Sequence, residues 1–348
     1  LRGPVVGGLE GLFASVWGAC GEPSLCLARS LPVRSAAREA GMRVVCDAPD
    51  GMRAGSPNGA MHMLVELLAA IARAKSFIYI EHQYLTSRPV VAALVEALRR
   101  TPTLEVIIVL NQNPDLTAYR GWQNAQLDEH ALLRHPRVGV FTLWSACAHP
   151  GRAGVTRLNQ LFIHSKVIVV DDEWAVVGTS NLDGVSMVSY GADFAGRVGQ
   201  RIFRGVRNVE VNVVIDATEP AEASDALDSI AAREAHLESI ITLRERLWSE
   251  HLGRARDELG VRATGGWLAM WREAARANAS MLSERAEAKA SRRAPRMIGR
   301  LLPYSDRPYP RQQLEDVGVD IDEERLELCY NPTWFGVRLG LHWVRNIF

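Results

Sequence analysis

The chain has 348 residues, 47% hydrophobic and 23% charged, with 40 basic and 40 acidic side chains. That length suits about two domains, and the balance excludes a disordered tail or a strongly basic nucleic-acid binder. The five cysteines lack CxxC spacing, arguing against a zinc site or a disulfide scaffold, and no run of 18 apolar residues announces a transmembrane helix. In chain order, the opening LRGPVVGGLEGLFASVW has neither a basic n-region nor a cleavage site. It also lacks an initiator methionine, so it reads as the continuation of something longer, and a cytoplasmic or peripheral-membrane location is expected. Apolar residues at helical spacing predict a helix over Gly59 to Lys75, a strand at Ser76 to Glu81, a helix over Arg88 to Arg100 and a buried strand at Leu104 to Leu110. A helix over Gln123 to His135 is followed by strands at Val138 to Leu143, Leu161 to Val170, Trp174 to Val177 and Val209 to Ile215.

That order predicts an α/β layer architecture with a mixed sheet over residues 1–216. Residues 217–348 are expected to form a mainly helical region, part of it packing on the first. Its long helix carries Leu227, Ile230, Leu237, Ile240, Leu243 and Leu247 near helical spacing, with Pro220 as a start signal. A Trp-rich helix follows around Gly266 to Ala275, and prolines at 303, 308, 310 and 332 then cut the chain into short pieces. The last stretch, Gly336 to Phe348, mixes aromatics with arginines, as either a membrane-interface segment or a packed terminus with snorkelling arginines would.

The chemistry gathers in LFIHSKVIVVDDEWAVVGTSNLDG, Leu161 to Gly184. In a strand, positions two apart share a face, so His164 and Lys166 are expected to project together. An ammonium supplies fixed positive charge for phosphate oxygens, while an imidazole attacks phosphorus or passes a proton near neutral pH. The turn Gly178-Thr179-Ser180-Asn181 offers further donors for an anion. A hairpin around Asp171, Asp172 and Glu173 would bring the two segments together. Lysine occurs only three times in the chain, so its place two residues after a histidine marks a compact point charge rather than a guanidinium fork.

HSKVIVVDDEWAVVGTSN resembles the HxKxxxxD…GxxN signature of the phospholipase D superfamily. IYIEHQYL (Ile78 to Leu85) is similar to the family's IYIENQYF, with His82 where asparagine is usual. NVEVNVVI (Asn208 to Ile215) and LRERLWSEHLG (Leu243 to Gly253) resemble its later strand and helix. The resemblance implies a mixed β-sheet flanked by helices on both faces, and a catalytic set of His164, Lys166, Asn181, Asp171 and Glu210. In that set His164 is the reactive imidazole, Lys166 and Asn181 bind phosphate, and Asp171 is mainly structural. Glu210 orients the His164 ring, a role open also to Asp183 or Asp193, and its spacing requires an insertion around Tyr190 to Arg207. Thr179, Ser180, Glu81 and Gln83 are expected at the substrate, although Glu81 and Gln83 equally suit a capped strand end.

The resemblance further implies a phosphohistidine mechanism on a phospholipid at a membrane surface, with no cofactor, no metal and no nucleic-acid partner. Such a mechanism uses two motifs, and this sequence holds one. The second half is expected either upstream of Leu1 or from another copy of the chain about a twofold axis. The alternatives are a cardiolipin-synthase-like phosphatidyltransferase, a catalytically incomplete lipid-binding module and a dimeric single-motif nuclease. Arg197, Arg201, Arg204 and Arg207 in the insertion form either a phosphate-reading lid or a solvated loop.

Overall fold

The computed structural model describes residues 6, 9–10, 13, 41–47, 62–115, 117–187, 209–219, 226–260, 262, 265–284 and 297–329. Its strands are β1 (Met42–Asp47), β2 (Phe77–His82), β3 (Glu105–Leu110), β4 (Val138–Ala148), β5 (Thr156–Gln160), β6 (Lys166–Val170), β7 (Trp174–Gly178), β8 (Glu210–Asp216), β9 (Leu301–Pro303) and β10 (Leu326–Cys329). Its α-helices are α1 (His62–Arg73), α2 (Arg88–Arg100), α3 (Thr117–Glu129), α4 (Gly184–Met187), α5 (Ala226–Leu252), α6 (Trp267–Glu284) and α7 (Pro310–Asp316). The fold is mixed α/β, with parallel and antiparallel pairings.

These residues group into two compact units, each assembled from three stretches of chain. One comprises residues 1–79, 87–104 and 165–244, and the other comprises 80–86, 105–164 and 245–348. The boundary expected after Asp216 thus falls inside the first unit.

In the first unit, β1, β8, β7 and β6 are joined by antiparallel ladders in that order. Helices α1 and α2 pack together through apolar stripes that include Leu67, Ile71, Val90, Val91, Leu94 and Leu98, all buried. Proline in the first turn of α2 sits where its missing N–H is not needed. In the second unit, β3 and β4 run parallel, β5 and β9 pair antiparallel with β4, and β10 runs parallel to β5. Trp144, Leu158, Leu282, Leu302, Leu314, Val319 and Ile321 form its buried cluster.

Several elements differ from the sequence expectation. The helix expected at 123–135 runs Thr117–Glu129, and the chain turns at Ala131, whose φ of 51° is incompatible with continuing a right-handed helix. The described part of the C-terminal region is mainly helical, as expected, and adds two short strands, β9 and β10, to the second unit. Strands of three or four residues are too short to show a period. The expected strand at Leu161 begins only at Lys166. Pro220, the insertion around 190–207 with its arginines, Asp193, and the stretch 336–348 lie outside the described residues.

Candidate active site

The motif is carried by a hairpin of the first unit. Strands β6 and β7 pair with Val167 opposite Val177 and Val170 opposite Trp174, a register that continues to set Lys166 level with Gly178. Asp171 and Asp172 have φ of 54° and 59°, and Glu173 N–H donates to the Val170 carbonyl at 3.0 Å. Two successive left-handed residues in a tight hairpin require side chains that tolerate that region, and aspartate does. Both carboxylates are then used locally. Asp171 accepts from the backbone N–H groups of Lys75, Ser76 and Phe77 at 2.7–2.8 Å. Asp172 accepts from Arg244 of α5 at 2.7 Å, and Arg244 is almost fully buried.

Lys166 is buried at the first position of β6, whereas His164 is exposed and lies before the strand. His164 therefore lies outside the strand in which the sequence places it. His164 stands beside Phe162 in the second unit, ring centroids 6.2 Å apart and planes inclined by 22°.

At the other end of β7 the GTSN turn is held by β8. Along β8, residues Glu210, Asn212, Val214 and Asp216 are buried while their neighbours are half-exposed, so three polar side chains occupy its inward face. Asn212 donates to Ser180 Oγ at 2.8 Å and accepts from Ser180 N–H at 3.3 Å. A Cβ on Gly178 would overlap Asn212 Oδ1 and come within 2.7 Å of its Cα, so only glycine fits there. Glu210 accepts from the Thr179 hydroxyl and, at 2.6 Å, from Ser186 Oγ. Asp183 accepts from Ser186 N–H at 2.9 Å, which ties the start of α4. One end of the Asn181 amide, its Oδ1, is buried with no hydrogen-bond partner among the described residues. The structure therefore brings Thr179, Ser180 and Glu210 together, and adds Asn212 and Ser186, which the motif does not name.

In the second unit, Glu81 lies 2.8 Å from Nε2 of His251 near the end of α5. Gln83 Nε2 donates to the Tyr84 hydroxyl at 2.7 Å, and that hydroxyl donates to Asp115. Both glutamate and glutamine are buried. Further buried amides follow: Gln123 accepts from Leu85 N–H and donates to the Asn111 carbonyl and the Tyr304 hydroxyl. Burial pushes the Tyr304 phenol well above its ordinary pKa, so it stays a neutral donor to Asn124. Among the described residues no group of three His, Cys, Asp or Glu is placed to hold a metal ion.

The model of the cardiolipin synthase, phospholipase D-like domain matches residues 67–231. Phospholipase D zeta 2 of Arabidopsis thaliana is 27% identical over 223 residues, covering 53% of this chain and 19% of that protein. Residues 67–231 are thus a phospholipase D-like domain. Phospholipase D of Phytophthora infestans is 25% identical over 255 residues, 62% of this chain and 13% of that one. The chain thus spans less than a fifth of the length of these curated relatives. The solved structure of NucT from Helicobacter pylori aligns over 58% of this chain and 96% of its own, at 14% identity and a TM-score of 0.32. The domain match covers the hairpin, the GTSN turn and Glu210. No described helix is long and apolar enough to cross a membrane.

Proposed function

We propose that this chain supplies one histidine–lysine half of a phospholipase D-type phosphodiesterase site, acting on phospholipids by hydrolysis or transphosphatidylation. The observation that carries the reading is the hairpin register. It sets Lys166 level with Gly178, so the ammonium of HxKxxxxD and the donors of GTSN belong to one rigid strand pair.

In this reading His164 is the general acid and base, a role worth roughly 10²–10⁴-fold in rate. Its exposure leaves the ring accessible to a substrate. Lys166 and Asn181 hold the phosphoryl oxygens, with Thr179 and Ser180 beside them, and Glu210 and Asn212 keep the turn in shape. A phosphohistidine is formed by one imidazole while a second protonates the leaving alcohol, so a second motif completes the site. It comes from an upstream segment or from another copy of this chain. Lysine charge does the work that a cation does in many phosphodiesterases.

The test is turnover of labelled phospholipid and of a chromogenic phosphodiester in EDTA, with His164→Ala alongside. Activity that survives EDTA and disappears with His164→Ala supports the reading; activity abolished by EDTA and indifferent to the substitution defeats it. Vesicle binding without any turnover would favour a lipid-binding module. The match to a cardiolipin synthase domain favours a second, narrower reading as a phosphatidyltransferase. Products formed from phosphatidylglycerol and from phosphatidylcholine separate the two.

A further inference from the structure

Backbone groups at the ends of strands lose their ladder partners, and buried ones must find others. Between Leu161 and Ser165 the chain is in no regular element, although Ile163 is buried. Its partners are supplied by one side chain. Asn111, just past the end of β3 and fully buried, accepts from Ile163 N–H through Oδ1 at 2.7 Å and donates to the Ile163 carbonyl through Nδ2 at 2.9 Å. The same Nδ2 donates to the Gln83 carbonyl at 3.2 Å, and the Asn111 carbonyl is itself held by Gln123. A side-chain amide thus replaces a strand neighbour, gripping the residue between Phe162 and His164 on both sides of its peptide framework.

We propose that Asn111 is a positioning residue for His164. By fixing the backbone of Ile163 it sets the direction in which the imidazole leaves the chain and keeps its ring beside Phe162. The carbonyl of Gln83 shares the same amide, so the IEHQY segment and the IHSK segment are registered against each other by one group. This rests on the assignment of His164 as the reacting imidazole only for its catalytic consequence; the effect on the ring itself does not depend on that assignment.

A matched control exists in the same unit. Asn278, also fully buried, makes the same three bonds to Ile298 N–H, the Ile298 carbonyl and the Leu301 carbonyl, each at 2.9 Å. Replacing either asparagine removes the same chemistry, but only Asn111 touches the residue next to His164. The experiment follows the imidazole proton and carbon resonances of the full chain labelled at histidine, with the His164 signal assigned by its loss in His164→Ala. Asn111→Ala should shift and broaden that signal, while Asn278→Ala leaves it in place at a similar loss of thermal stability. Should Asn111→Ala fail to fold, the isosteric Asn111→Asp is read instead. It keeps the acceptor for Ile163 N–H and faces the two carbonyls with a carboxylate. An unmoved His164 signal in the folded Asn111 variant, or equal movement in Asn278→Ala, overturns the proposal.

Where the chain turns over a phosphodiester, Asn111→Ala should lower kcat roughly 10- to 100-fold, the range expected for misplacing a reacting group by about 1 Å, with KM changed less than about twofold. A proportional loss in Asn278→Ala would overturn that consequence. Absence of turnover in the unsubstituted protein would count against the proposed function and not against the positioning role, which the resonances decide.

Discussion

Glu81 and His251, 170 positions apart in sequence, meet as a buried pair 2.8 Å apart. Among the described residues the other imidazole nitrogen, Nδ1, has no hydrogen-bond partner, so the pair with Glu81 is what fixes the ring. Removing one member of a buried hydrogen-bonded pair takes that bond from the other, at about 1–3 kcal/mol. His251→Ala and Glu81→Ala should each lower the denaturation midpoint by that scale. The double variant should lose clearly less than the sum of the two. Additive losses in the cycle would show that each residue matters only through packing.

The Asp171–Asp172 turn makes a second, opposed prediction. At a φ of 59° glycine is the more comfortable residue, and relief of left-handed strain alone would stabilise Asp172→Gly by up to about 1 kcal/mol. Yet Arg244, almost fully buried, would lose its hydrogen-bonded ion pair with Asp172, and the loss of a buried charge-assisted bond, about 1.5–3 kcal/mol, outweighs that gain. Asp172→Gly should therefore be destabilising in a urea titration. Adding Arg244→Met should recover most of the loss; no recovery would mean that Asp172 acts through the turn and not through the ion pair.

Much of this was legible in the chain. The hairpin was readable because Asp-Asp between two apolar runs is a turn signal with a mechanism, and the superfamily motifs fall on it. The inward polar face of β8 was also open to reading, since Glu210, Asn212 and Asp216 recur with period two in an otherwise apolar strand. What stayed hidden depends on distant sequence. Nothing local in LNQNPD announces that Asn111 will hold Ile163, 52 residues later. The run LFIHSK looks like continuous strand for the same reason: Ile163 is buried, but a side-chain amide takes the place of the ladder. His164 consequently stands ahead of the strand that Lys166 opens, where alternation alone assigns both to it.

The GTSN turn yields a prediction about steric exclusion. Gly178→Ala should be destabilising by about 1–3 kcal/mol, the usual range for overpacking, because its methyl would meet Asn212. Shortening that asparagine should not rescue it, since the Cα of Asn212 is itself 2.7 Å from the added carbon. Thermal unfolding of Gly178→Ala and of Gly178→Ala with Asn212→Ala checks this. Full rescue by the second substitution would place the conflict in the side chain alone.

Lys166 separates function from stability most sharply. A lysine buried at the first residue of β6 stands in a strand whose remaining members are valine and isoleucine, so folding alone would favour an apolar side chain of similar length. Lys166→Met removes the charge and keeps the apolar stem in the strand. The expected result is a Tm lowered by only a few degrees together with loss of phosphodiester turnover by at least about 100-fold, on the scale of removing one preorganised group that stabilises developing charge. Lys166→Arg should not restore it, because a planar guanidinium does not occupy the place of a compact ammonium. Parallel melting curves and turnover assays on the three proteins decide the matter: a Tm that falls much further than that along with activity in Lys166→Met would assign the lysine to the architecture of the hairpin, and an active arginine variant would mean that the site requires only positive charge.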